Sequence, residues 1–109
     1  MLRKIIFTVF MCLTVLCTWA AKGDKKVRVG VFTGNGAAQT CIWETIASIQ
    51  MDPDMTVQGI STSDISNGVL NNLDAIIIPG GGGTTEYMNL GGENMDRIRA
   101  FIRSGKGAV

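Results

Sequence analysis

Two glycine-rich turns are where this chain could do chemistry. Residues 79–85 read PGGGGTT and follow directly on the apolar run Ala75, Ile76, Ile77, Ile78. Four consecutive glycines let backbone N–H groups turn toward a bound anion or a developing oxyanion with no Cβ in the way. They also cost conformational entropy that a plain linker would not require. Gly80, Gly81 and Gly82 are therefore the candidate oxyanion or ligand-binding loop. The second turn lies in TGNGAAQ at 33–39, where Asn35 and Gly36 suit a tight turn at the mouth of such a site. What is missing bounds the reaction: the chain has no His, so it holds no Ser-His or Cys-His pair and lacks the commonest metal ligand. No catalytic residue, metal or cofactor is expected within these residues.

Other uses of the same glycines fit less well. Gly34 and Gly36 match the first two positions of a dinucleotide fingerprint, but Gln39 stands at the third, and no acid falls at the end of the second strand to hold a ribose. Neither glycine cluster runs into the Gly-Lys-Ser or Gly-Lys-Thr of a phosphate-binding loop. Cys41 falls in a helical pattern beside an apolar stripe, so it reads as a packing residue.

The elements that must carry these turns follow from hydrophobic period. Residues 27–32 alternate as a strand, and 37–51 place Ile42, Ile46 and Ile49 on one helix face. Residues 55–60 form a second strand, and the polar run 61–68 suits a loop or one short helical turn. The continuous apolar run 75–78 predicts a strand buried on both faces of a parallel sheet. A loop over 80–92 is expected next, then a helix over 93–104 with Met95, Ile98, Phe101 and Ile102 on one side, and a strand opening at 107–109. This order predicts a doubly wound, flavodoxin-like, three-layer α/β domain with a mostly parallel sheet, incomplete at its C-terminus. Its unpaired strand edge is one through which two copies could pair as a dimer.

Ahead of this domain, Arg3 and Lys4 precede seventeen uncharged residues from Ile5 to Ala21, and Thr18-Trp19-Ala20 is a small-x-small pattern. Residues 1–20 read as a signal peptide cut near Ala20, followed by a polar linker over 21–26 and the α/β domain over 27–109. The expected location is periplasmic or secreted, or membrane-anchored if the segment stays uncut; the membrane is touched only through this segment. Removing it leaves eight Lys plus Arg against nine Asp plus Glu, a balance near −1 that argues against nucleic acid as a partner. It also leaves Cys41 as the sole cysteine, so no internal disulfide is available. The partner expected is a small molecule or peptide.

Residues 79–109, PGGGGTTEYMNLGGENMDRIRAFIRSGKGAV, carry a more specific pattern. Pro79, Gly80, Gly81, Tyr87, Leu90, Gly92, Glu93, Asn94, Ile98, Arg99, Phe101, Ile102 and Gly105 resemble the class I glutamine amidotransferase-like superfamily and, within it, the biotin-protein ligase N-terminal-like domain. The resemblance implies a Cys nucleophile at the end of the strand that opens near Gly107, with His and an acid later, all after Val109. It implies that this chain supplies the oxyanion side through Gly80, Gly81 and Gly82, with Tyr87 in the loop that lines the site. A full-length relative would be a Cys-dependent amide hydrolase or amidotransferase, and this chain alone would be inactive. The chain has no adenylate-binding Gly-Arg-Gly-like loop, so neither biotin nor ATP is implied. The alternative is a non-catalytic module that holds a small anion or a peptide end on the same fold.

Overall fold

The computed structural model describes residues 25–109, so the segment expected to be a signal peptide lies outside the described residues. The strands are β1 (Val27–Phe32), β2 (Met55–Ile60), β3 (Ala75–Ile77) and β4 (Gly107–Ala108). The helices are α1 (Gln39–Gln50), α2 (Thr62–Ser66) and α3 (Gly83–Arg103), with a 3-10 turn at Val69–Asn72. The four strands form one all-parallel sheet in the order β2-β1-β3-β4. This is the doubly wound α/β architecture of the flavodoxin type. From β1 the chain first steps outward to β2, then crosses back to β3 on the other side, so the winding reverses between β1 and β3. No described helix is long and apolar enough to cross a membrane.

Burial follows the two sides of the sheet. Phe32, Ile60 and Ile76 point to one face, where they form a single core with Ile65 of α2, Leu70 and Leu73 of the connection, and Leu90, Ile98 and Phe101 of α3. Val29 and Val31 have the opposite parity and are buried on the other face, which α1 covers through Ile42. Ile46 and Ile49 are half-buried there, and Trp43 faces solvent. The polar run after β2 does close into a helical turn. Ser61 Oγ accepts from the Asp64 N–H at 3.1 Å while the Ser61 N–H donates to Asp64 Oδ2 at 2.9 Å, a reciprocal cap that satisfies two backbone donors.

One prediction needs correction. The loop expected over 80–92 is mostly helix: α3 starts at Gly83, ten residues before the expected Glu93, and is broken only at Gly91, whose φ of 78° and ψ of 164° kink it. The apolar period breaks across Asn89, Gly91 and Gly92, which hides Glu86 and Leu90 as core-facing residues of a first helical segment. Strand β3 also ends at Ile77, one residue short of Ile78, although the Ile78 N–H still donates to the Val109 carbonyl at 2.7 Å.

Candidate functional site

The turn after β1 and the turn after β3 lie side by side at the C-terminal ends of adjacent strands, where the winding of the sheet reverses. Ligands of open α/β sheets bind in this crevice. The two turns are bonded to each other through the main chain alone. The Ala38 N–H donates to the Gly80 carbonyl at 2.9 Å, and the Gly82 N–H donates to the Gly36 carbonyl at 2.8 Å, closing a short antiparallel bridge between Ala37 and Gly81.

Such close approach is why glycine stands here. A Cβ on Gly81 would run onto the Gly36 carbonyl oxygen and come within 2.9 Å of the Ala38 nitrogen. Gly36 has φ +100°, and a Cβ there would lie 2.5 Å from the Glu86 nitrogen and 2.7 Å from its Cγ. The glycines thus serve two ends: they let two main chains meet, and they leave N–H groups unobstructed.

Those N–H groups are not equivalent. The Gly82 N–H is spent on Gly36, whereas the N–H groups of Gly80 and Gly81 donate to no acceptor among the described residues. Both turns also open directly into helices. Ala38 is the N-cap of α1 and Gly82 the N-cap of α3, and neither helix end has a side-chain cap. The first-turn N–H groups of both helices therefore lack side-chain acceptors, and two positive helix-dipole ends meet at one place. The arrangement can accept a carboxylate, phosphate or carbonyl oxygen.

The expected residues fall as follows. Gly80, Gly81, Gly82 and Gly36 come together. Asn35 is exposed in the turn after β1. Tyr87 lies on α3 rather than in a loop, and its side chain is 55% exposed. Cys41 is half-buried in the first turn of α1, and its Sγ would sit 3.6 Å from a Cβ on Gly80, which places this packing residue beside the glycine loop.

Sequence reasoning missed Glu86. It occupies the first turn of α3, is only 7% exposed, and packs its stem against Gly36. Its Oε1 is enclosed and has no hydrogen-bond partner. A buried acceptor without a donor is costly and uncommon, and it occurs here at the point where the two turns meet. Its signal in the sequence was weak: one acid after two threonines, in a stretch whose helical period was interrupted. Among the described residues no cluster of three or more metal-ligating side chains exists.

In comparison with known proteins, no protein-family model, no curated protein and no solved structure matches the chain.

Proposed function

We propose that this chain forms the oxyanion-binding half of a glutamine amidotransferase-like site, with the Gly80 and Gly81 N–H groups holding the carbonyl oxygen of an amide as negative charge develops on it. The observation that carries the reading is that these two N–H groups have no described acceptor at the reversal between β1 and β3, while the neighbouring Gly82 N–H is bonded. The resemblance over residues 79–109 supports the same assignment.

Glu86 packs its stem against Gly36 at the same junction, with its Oε1 enclosed and unbonded. Attack on the amide requires a thiol and a base that the chain does not pair: it has no His, and Cys41 has no acid or base bonded to it among the described residues. On this reading the nucleophile comes from the residues that follow β4 in a longer chain, because β4 lies next to β3 and runs the same way, toward the same crevice. The full protein would be exported.

The test pairs activity with binding. The chain alone should release no ammonia from glutamine or simple primary amides above the background rate. Acetamide titrated at millimolar concentration should still shift the Gly80 and Gly81 amide resonances in a saturable way. Ammonia release by the chain alone, or equal shifts over the whole surface, overturns the assignment. Saturable shifts with acetate and none with acetamide would favour the small-anion module instead.

A further inference from the structure

A second concavity opens at the opposite end of the sheet, between the 3-10 turn Val69–Asn72 and the second half of α3, with a volume of about 350 Å³. Its floor is apolar: Ile65, Leu70 and Phe101 are core side chains whose edges reach the groove. Its rim carries Arg97 and Lys106, and both are fixed by neutral acceptors. Arg97 Nη1 donates to Asn94 Oδ1 at 2.8 Å, and Lys106 Nζ donates to the Leu73 carbonyl at 2.6 Å while lying 5.3 Å over the Phe101 ring.

Neither cation forms an ion pair with a described residue. Of the acids nearby, Glu93, one turn before Arg97, forms no ion pair with it, and the others are engaged elsewhere. Asp96 is held by Arg99 at 2.7 Å, and Asp74, although it feels Lys106, gives both its oxygens to Arg28 at 3.1 and 3.2 Å. Two positive groups therefore face one apolar floor with no ion-pair partner among the described residues. Ionic groups held this way attract an anion, and the floor rewards a hydrocarbon body beneath it. The volume is at the small end of the range for small-molecule sites.

We propose that this groove is a binding site for a small organic acid: a carboxylate that takes the free N–H fork of Arg97 and the Lys106 ammonium, on a hydrocarbon body that covers Phe101 and Leu70. It is separate from the glycine junction, which lies at the other end of the parallel strands, and it does not depend on the amidotransferase reading. The apolar floor distinguishes this ligand from inorganic anions, and the two cations distinguish it from a neutral hydrocarbon.

The experiment is an NMR titration of the full chain with 3-phenylpropionate, with 3-phenylpropanamide as the neutral analogue of the same shape and sulfate as the anion without a body. The carboxylate should give saturable shifts at Ala100, Phe101 and Ser104 and bind on the order of tenfold more tightly than the amide, the worth of one charge-assisted hydrogen bond. Arg97→Gln should weaken it by a similar factor, and Lys106→Gln likewise. Arg99→Gln, which removes a cation already paired with Asp96, should leave it unchanged. Arg97 lies on an exposed helix surface, so its variant keeps the test informative even if losing the Lys106 bond to Leu73 impairs folding. Equal affinity for acid and amide, equal affinity for sulfate, an unchanged affinity in Arg97→Gln, or no saturation in the groove would each overturn the proposal.

Discussion

The two ends of the sheet are built from different parts of the same chain. At the C-terminal ends of β1 and β3 the contacts are main chain to main chain, Ala38 to Gly80 and Gly82 to Gly36, between residues with little or no side chain. At the N-terminal ends main-chain bonds, such as that from the Asp74 N–H to the Arg28 carbonyl at 2.8 Å, are joined by contacts of long charged side chains: Arg28 reaches Asp74 with its Nε and a guanidinium nitrogen, and Lys106 reaches the Leu73 carbonyl. The first kind of contact has no slack, because a main chain cannot move aside without moving its strand. The second is exposed, adjustable, and sensitive to pH and salt. A site made of backbone donors is fixed by the fold itself, whereas a site made of side chains can be altered one residue at a time.

The sharpest way to break the contrast is to add one methyl group at the backbone end. Gly36→Ala would need a left-handed φ and would press on the Glu86 backbone, and Gly81→Ala would run onto the Gly36 carbonyl. Each should lower unfolding free energy by about 2–4 kcal/mol in denaturant titrations, far more than any single side-chain truncation among the exposed groups at the other end. A loss below about 0.5 kcal/mol in both variants would show that the junction is not tightly held.

A smaller effect, of opposite sign, is expected at Glu86. Glu86→Met keeps the length of the side chain and removes the enclosed oxygen that has no donor, so stability should rise by about 1 kcal/mol. A fall would mean that attraction to the α3 N-terminus outweighs the unbonded oxygen.

At the side-chain end the response should be to acid. The Arg28 side-chain and backbone hydrogen bonds hold the Asp74 carboxyl at about 2, below its ordinary 3.8. Because the folded value is the lower one, the pair stabilises the fold fully above about pH 4 and loses that contribution as pH falls toward 2. Asp74→Asn should therefore flatten the acid limb of the stability profile between those two values, measured by thermal unfolding against pH. An unchanged slope would remove the pair from the account. The smallest effect belongs to Arg99→Gln, whose partner Asp96 is largely exposed one helical turn away, and whose loss should cost no more than about 0.5 kcal/mol.

Much of this organisation was legible from residue order. The alternation of residues 27–32, the unbroken run at Ala75, Ile76 and Ile77, and the glycines that follow both strands suffice to place two turns at one end of a parallel sheet. The first half of α3 was hidden, because Gly82, Gly83, Gly91 and Gly92 disfavour a helix by local propensity, and packing of Leu90 in the core and of Glu86 against the β1 turn holds it. For the same reason Tyr87 is found on a helix surface instead of in a loop. Which of the glycine N–H groups is free depends on pairing between residues more than forty positions apart, Gly36 and Gly82, and no local pattern encodes it.

The central claim is that the Gly80 and Gly81 N–H groups are open donors and that of Gly82 is not. Amide hydrogen exchange on the full chain, read residue by residue with and without saturating acetamide, tests it within one loop. Without ligand, Gly82 should exchange slowly and Gly80 and Gly81 fast, and ligand should protect the latter two alone. Uniformly fast exchange across all three, or protection by acetamide that spares Gly80 and Gly81, would contradict the account.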